Sequence, residues 1–454
     1  MDVNPKWQIS PGYEPVADAF RQLAPLLGRG GGSFAVLLHG ESVVDLWGGD
    51  ARPGEPWEQD TLAVMFSATK GLAGICLMML VDRGRLDPDA LVTTYWPEFG
   101  QAGKERTTVR HVMEHTAGLI GMRDSAELIG WDGRGFDDYD AIADRLASTP
   151  PAWEPGTKQG YHALTYGWIA GELVRRIDGR TIGTFFREEV AEPLGLDTWI
   201  GVSPADRRRV ATVVDVGYHA IPRPLRAQVD AMIVALRDPT KLNGQAFLAH
   251  GGASGVDHLA ELSNGDMLEA EFASGGGVST ARSLARAFAV LGAGGTFDGR
   301  TFVSAATMAR FDAMTSSYPD ELAREVARTK SQKKAADTPV PRVGPHLRNT
   351  TGRMSLPDLF GPNPSTMGAA GAGGQIVFFD RDTGLTVASL RSHMALVDLA
   401  APALADVVYA CAARNGDIDV RGIPKLSLAK RALRRPLHAY LRRLERKSLT
   451  PPAT

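Results

Sequence analysis

The run from Thr61 to Leu86, TLAVMFSATKGLAGICLMMLVDRGRL, constrains the fold more than any other part of the chain. After Ser67 it reads as an apolar helix of roughly four turns, a surface the rest of the chain must cover. At its front, Ser67-Ala68-Thr69-Lys70 sets a hydroxyl and an amine one helical turn apart. That spacing suits a serine nucleophile with its own base. Apolar neighbours disfavour the ammonium by desolvation, and the positive end of the helix dipole repels it, so Lys70 is expected to accept the Ser67 proton. The four-letter pattern recurs at Ser331-Gln332-Lys333-Lys334, in the polar run ARTKSQKKAADTPVP, and at Ser427-Leu428-Ala429-Lys430, in a basic tail. Neither has the apolar setting: the first reads as a solvated loop, and for such a match an ordinary helix-start serine with an exposed lysine is the simpler account.

The chain has 454 residues, enough for one large domain or two interleaved ones. Its 44% apolar and 22% charged residues are ordinary for a soluble globular protein. Cys76 falls inside the apolar helix as a small core residue, and with Cys411 it gives neither a disulfide framework nor a metal motif. Near the start, SFAVLLHGESVVDLWGG reads as two strands joined at His39-Gly40; near the end, GQIVFFDRDTGLTVASL reads as a hairpin turned at Asp382-Thr383-Gly384, with a helix following. From about Leu86 to Leu262 the chain reads mostly as helices and loops. The expected fold is therefore α/β (α+β), with an antiparallel sheet closed by the two ends, flanked by helices and interrupted by a helical insert. Residues 12–85 and 266–415 are assigned to the sheet-containing part, 86–265 to the insert, 317–347 to a mobile loop, and 421–454 to a basic amphipathic tail.

The net charge of −2 hides an asymmetry. From Arg421 to Lys447 there are ten Lys or Arg and one acid, Glu445, which leaves −11 on the remainder. Leu426, Leu433, Leu437, Leu441 and Leu444 recur at near-helical spacing, so the tail reads as an amphipathic helix kinked at Pro436. It suits either an anionic membrane surface or packing on the chain's own acidic body or a second subunit. No run approaches eighteen apolar residues, and MDVNPKWQISPGYEP lacks the basic start and apolar stretch of a secretory signal. A cytoplasmic protein is expected, peripherally membrane-associated if the tail binds lipid. Nucleic-acid binding has no motif support. GGGVST at 275–280 and AGAGG at 370–374 lack the lysine and serine that end a phosphate loop.

Several stretches, in order, carry a family resemblance. HGESVVDLWGGDA, the Ser67 helix, TTVRHVMEHTAGL, WEPGTKQGYHALTYGWIAGELVRRIDGRTIGTFF, FASGGGVSTARSLARAFAVLGAGGTFDGRTFVS and MGAAGAGGQIVFFDRDTGL together resemble the serine beta-lactamase and penicillin-binding-protein superfamily. The likeness is to its class C-related branch, which holds class VIII carboxylesterases and bacterial esterases and lipases, and it covers roughly residues 12 to 410. It implies a beta-lactamase/transpeptidase-like fold. Ser67 and Lys70 match the family's first motif in full. Tyr161 matches the tyrosine of the second, which moves protons in acylation and deacylation, while Ala163 stands in place of its asparagine.

The third motif aligns with Ala369-Ala370-Gly371, so the side chains that normally face substrate are expected to be methyl groups. A lysine at that motif would pair with the carboxylate of a penicillin or a D-Ala-D-Ala peptide, and its absence turns the reading away from those substrates. The resemblance further implies an oxyanion hole of the Ser67 and Ala372 backbone N–H groups, which loss of side chains does not remove. His162 is expected at the cleft rim, and His115 in HTAGL is read as structural. The resulting expectation is a serine hydrolase acting on small-molecule esters through an acyl-enzyme, with no metal or organic cofactor. No G-x-S-x-G is present to suggest an α/β hydrolase. A beta-lactamase or D-alanyl-D-alanine peptidase, and a catalytically silent binding protein using the same cleft, are the alternatives.

Overall fold

The computed structural model describes residues 7–23, 30–215, 223–249, 251–255, 257–261, 265–316, 318–327, 333, 337, 342–343, 347–349, 360–361, 363, 366–394, 400–419 and 421. Strands β1 (Gln8–Ile9), β2 (Gly31–Leu38), β3 (Glu41–Arg52), β4 (Thr315–Ser316), β5 (Arg342–Val343), β6 (Leu347–Asn349), β7 (Met367–Gly371), β8 (Gln375–Asp380) and β9 (Leu385–Arg391) build the main sheet. Their order is β1-β3-β2-β9-β8-β7-β6-β5-β4, and every neighbouring pair is antiparallel. The two ends of the chain meet where β2 pairs β9, from Gly32 opposite Arg391 to Leu38 opposite Leu385. The β2–β3 turn is the expected His39-Gly40 pair, at φ 51° and 89°. Left-handed backbone at both positions gives the turn whose twist matches that of the flanking strands.

Both faces of the sheet are covered, which explains why its central strands read as continuous apolar runs rather than alternating ones. Along β8, Ile376 and Phe378 enter a core with helices α1 (Glu14–Leu23) and α5 (Ala400–Asn415), while Val377 and Phe379 enter the larger core on the opposite face. That larger core contains α2 (Thr69–Asp82), α3 (Thr165–Asp178) and α4 (Ala281–Gly292). Every residue of α2 from Thr69 to Val81 is buried, as its composition requires. It packs on α3 and on the helix Ile182–Phe186 to one side and on β7 to the other.

Between residues 86 and 262 the described elements are mainly helical, with short strands at Thr198–Trp199 and Val214–Asp215. The helix in TTVRHVMEHTAGL is short, Val109–Met113, and the chain leaves it through His115 at φ 59°. Val278–Ser279 pairs with both Ala63–Val64 and Thr198–Trp199, and Thr280 caps α4 by accepting from the Ser283 N–H at 3.2 Å. Of segment 317–347, residues 318–327 carry a helix, Glu321–Val326, capped by Asp320. Most of the remainder of that segment, and the tail beyond Arg421, lie outside the described residues. No described helix is long and apolar enough to cross a membrane.

Candidate active site

Ser67 stands in a single turn, Phe66–Ala68, that runs directly into α2. From Thr61 to Val81 it is the only residue not buried. Phe66 before it holds φ at 47°, a left-handed conformation that costs an aromatic residue on the order of 1–3 kcal/mol. Three hydrogen bonds hold it there: Met65 N–H donates to the Gly277 carbonyl at 2.8 Å, Thr69 Oγ1 donates to the Phe66 carbonyl at 2.6 Å, and Gly277 N–H donates to Thr69 Oγ1 at 3.1 Å. Local strain thus turns the serine outward from an otherwise dry segment.

Lys70 is fully buried, with Nζ 3.3 Å from Ser67 Oγ. The same amine donates to the Ser274 carbonyl at 2.7 Å and lies 5.0 Å from the centre of the Tyr161 ring. Ser274 reaches the site from far along the chain. Its Oγ donates to the Leu164 carbonyl at 2.7 Å and accepts from Gly167 N–H at 2.6 Å. A Cβ on Gly167 would overlap the Ser274 backbone, so a glycine lets α3 approach this closely. Ser274 therefore ties the first turn of α3 to the lysine. A contrast is supplied by Lys104, also fully buried, whose amine donates to the carbonyls of Gln101, Ala147 and Thr149 at 3.0, 2.8 and 2.6 Å. Burial lowers its pKa to about 8, yet it meets only backbone carbonyls and a phenyl face, the setting of a structural clip.

Tyr161 is half-buried on an irregular segment just ahead of α3. His115 packs against it at 5.4 Å between ring centres and stacks on Tyr166 at 5.0 Å. Its Nδ1 accepts from His162 N–H at 3.0 Å, so the neutral ring carries its proton on Nε2. His162 has no exposed surface, and its Nδ1 sits 2.8 Å from the Gly160 carbonyl. It belongs to the wall behind Tyr161 rather than to the cleft rim where the sequence reading put it. The chain at 160–163 is irregular, and there His162 is buried while its neighbour Tyr161 is only half-buried. Burial also raises the Tyr166 phenol far above its ordinary range.

Strand β7 brings the third motif to Ser67. Side chains alternate along it, so Ala369 joins the core that holds α2 while Ala370 packs against the opposite core under α1 and α5. The expectation that both methyl groups face substrate is corrected by this period of two: Ala370 points away, and Ala369 is 1% exposed. Gly371 has a steric requirement, since a Cβ there would lie 2.1 Å from the Met65 carbonyl oxygen, far closer than van der Waals contact allows. Gly371 and Ala372, both half-buried, thus flank the turn that carries the serine. Among the described residues no group of His, Cys, Asp or Glu is placed to hold a metal ion.

Sequence reasoning named Ser67, Lys70 and Tyr161, which the structure brings together. It gave no role to Ser274, Gly277 or Thr69, whose contributions are hydrogen bonds with partners distant in sequence. The only sequence signal for the first two is the run FASGGG itself.

The beta-lactamase family model matches residues 16–405. The chain is 37% identical over 300 residues to the esterase/beta-lactamase LipL of Mycobacterium tuberculosis, an alignment covering 65% of this chain and 66% of that one. It is 31% identical over 212 residues to the esterase EstB of Burkholderia gladioli, covering 42% and 51%. The chain thus spans between about half and just under two thirds of these curated relatives. Among solved structures, a family VIII carboxylesterase superposes with a TM-score of 0.71 at 29% identity, covering 89% of this chain and 98% of that one. A penicillin-binding protein homologue from Caulobacter crescentus gives 0.71 at 32%, covering 90% and 100%.

Proposed function

The chain belongs to the beta-lactamase family, and from that premise we propose that it is a serine hydrolase of carboxylic esters. One observation carries the reading: a fully buried lysine amine 3.3 Å from the hydroxyl of the one outward-facing residue in an otherwise buried segment. A base within reach of a serine hydroxyl is what nucleophilic catalysis needs. The esterase names of relatives and neighbours support the same class of substrate.

In the proposed reaction Ser67 Oγ attacks the ester carbonyl carbon while its proton passes to the neutral Lys70 amine. The carbonyl oxygen, now anionic, is held by the backbone N–H groups of Ser67 and Ala372. The anion collapses, the bond to the alcohol oxygen breaks, and Tyr161 conducts the proton from Lys70 to the leaving alcoholate. Water then attacks the acyl-enzyme by the reverse proton route, freeing the acid and restoring Ser67. The Ser274 carbonyl keeps the amine aimed throughout.

Beta-lactam or D-alanyl peptide hydrolysis receives less support. Ala163 is buried, and Ala369 offers a carboxylate no charge. The test is hydrolysis of p-nitrophenyl butyrate by the wild type and by Ser67→Ala side by side. Turnover by the first and none by the second is expected; equal rates would show that Ser67 is not the nucleophile.

A further inference from the structure

His115 takes no part in the proposed proton route, yet it is wrapped around the backbone that carries Tyr161. The Gly160 N–H donates to the His115 carbonyl at 3.1 Å, and the His162 N–H donates to His115 Nδ1 at 3.0 Å. One residue thus holds the neighbour on each side of Tyr161, and its ring also packs on the Tyr161 ring at 5.4 Å between centres. His162 braces the same segment, since its own Nδ1 lies 2.8 Å from the Gly160 carbonyl. The phenol held in this way lies under the Lys70 amine, whose Nζ is 5.0 Å from the centre of the ring.

The loop that carries His115 runs as a rail along this segment. Its next carbonyls accept in turn: Thr116 from the Gly156 N–H at 2.9 Å and from Trp153 Nε1 at 3.2 Å, Gly118 from the Ala152 N–H at 2.8 Å, and Leu119 from Thr165 Oγ1 at 2.6 Å. Those contacts use backbone carbonyls, which any residue type supplies. At position 115 the side chain is used as well, on a backbone that would suit a smaller residue. The helix Val109–Met113 ends through His115 at φ 59°, and the Thr116 and Ala117 N–H groups both return to the His111 carbonyl, at 2.8 and 3.0 Å. A helix that ends in a left-handed residue ordinarily uses Gly, sometimes Asn. The buried imidazole does there what a glycine could not, accepting the His162 N–H. At the other edge the Gln159 carbonyl accepts from the Glu321 N–H at 2.9 Å, and the helix Glu321–Val326 is clasped to the helix Leu242–Ala246 where Asn243 Nδ2 donates to the Leu322 carbonyl and to Glu325. That tie reaches the residue two before Tyr161, whereas His115 holds its immediate neighbours.

We infer that His115 is a positioning residue: its neutral imidazole, with Nδ1 as acceptor, sets where the Tyr161 hydroxyl stands relative to Lys70, and so sets the rate of the proton transfers between them. The inference rests on the ester-hydrolase reading and on its proton route through Tyr161. His115 is fully buried and meets no substrate, so its effect travels through Tyr161. Without an acceptor at Nδ1 the buried His162 N–H loses its partner, and the segment must shift to regain one, carrying Tyr161 with it. A displacement of about 1 Å is enough to slow a reaction on the order of 100-fold. Binding of the ester before reaction does not depend on that hydroxyl and stays as it was.

The experiment measures kcat and KM for p-nitrophenyl butyrate in the wild type, His115→Phe, His115→Asn and Tyr161→Phe, and in each His115 variant combined with Tyr161→Phe. His115→Phe keeps a ring against Tyr161 and Tyr166 and removes the acceptor. His115→Asn suits a left-handed backbone and returns an oxygen to the place of Nδ1. Expected is a fall in kcat on the order of 10-fold to 100-fold in His115→Phe with KM within about twofold of wild type, and recovery of most of that loss in His115→Asn. In the Tyr161→Phe background neither substitution is expected to slow turnover further, because the two residues act as one unit. A folded His115→Phe with wild-type kcat, a His115→Asn no faster than His115→Phe, or the same fold-loss repeated on top of Tyr161→Phe overturns the inference and leaves the hydrolase reading standing. Should His115→Phe fail to fold, His115→Gln, whose acceptor falls nearer the place of Nε2, takes its part in the same comparison with His115→Asn. Wild-type turnover by Tyr161→Phe removes the Tyr161 route and this inference with it but leaves Ser67 as nucleophile, whereas a wild type inert toward the butyrate removes the hydrolase reading itself.

Discussion

Two buried lysines separate chemistry from architecture at the scale of single residues. Lys104 spends its hydrogen bonds on three carbonyls, whereas Lys70 gives one to the Ser274 carbonyl and keeps Ser67 Oγ within reach. Lys70→Met, similar in length and apolar, is expected to leave a folded protein whose kcat on a p-nitrophenyl ester falls by at least about 100-fold, the ordinary share of a general base. Circular dichroism beside the assay checks the fold; a folded variant with wild-type turnover would remove the proton role. The serine-lysine pair was legible because four consecutive letters and their apolar flanks encode it. Ser274 was not, since its contribution is a backbone carbonyl delivered from the other half of the fold, and any residue type has a carbonyl. His162 was misplaced for a related reason: its direction depends on the irregular path of residues 160–163, which adjacency in sequence does not reveal.

Strand β7 shows what an element adds. Gly371 lets it lie against the Met65 carbonyl, and that contact sets the distance between the strand and the serine turn. Its φ of −113° is open to any residue, so Gly371→Ala tests the close approach alone. We expect the variant to fold, to lose about 1–3 kcal/mol by overpacking, and to lose about 100-fold in kcat/KM as the strand moves off. Urea unfolding and ester hydrolysis measure the two effects; full activity would mean that β7 does not help to build the site.

A second element-scale device joins the C-terminal ends of α2 and α3. Arg180 pairs with Asp178, Glu188 and Glu189, Arg83 with Glu189, and Arg85 with Asp178. The hydrogen bond from Arg180, with its charge and that of Arg85, holds the Asp178 carboxyl below its ordinary value against the effect of burial. The hydrogen bond from Arg83 leads in doing the same for Glu189. A carboxyl whose pKa is lower in the folded state stabilises fully above its unfolded pKa of about 4, and that stability is lost as pH falls through the folded value. Arg180→Met is therefore expected to cost about 1 kcal/mol at pH 7, after allowance for solvent screening. The difference from wild type should shrink as pH falls below about 4. Urea unfolding at pH 7 and pH 3 reads it, and a difference independent of pH would exclude the ion pairs as its source.

For the whole molecule, the meeting of the two chain ends in one sheet was foreseen from two hairpin signals and a mostly helical middle. The sequence reading gave the family as well, because several motifs fall in order along one chain. What the folded molecule adds is the pairing across the middle: a glycine-rich run against the serine turn, and two short helices clasped beside Tyr161. Neither has a periodic signature, because each is fixed by partners 79 or more residues away: Gly277 on Thr69 in the first, Leu322 and Glu325 on Asn243 in the second. Among the described residues the last member of either core is Ile418, and Asp417 accepts from the Tyr13 hydroxyl at 2.9 Å. Removing residues 422–454 is therefore expected to leave hydrolysis of a soluble ester within about twofold of wild type. The charge of that tail leads us to propose weaker binding of the truncated form to anionic vesicles than of the full chain. Equal binding by both forms in a vesicle co-sedimentation assay would remove the membrane role.

The pairing of β2 with β9 also bears on how the protein is made. Residue 82 leaves the ribosome roughly 300 residues before Arg391, an interval on the order of 15–60 s at about 5–20 residues per second. During that interval α2, apolar on every side, has no completed sheet to lie beneath, and the nascent chain carries a surface that attracts aggregation or a chaperone. The same helix that keeps Lys70 dry in the finished protein makes the unfinished one dependent on protection until the last central strand has been synthesised.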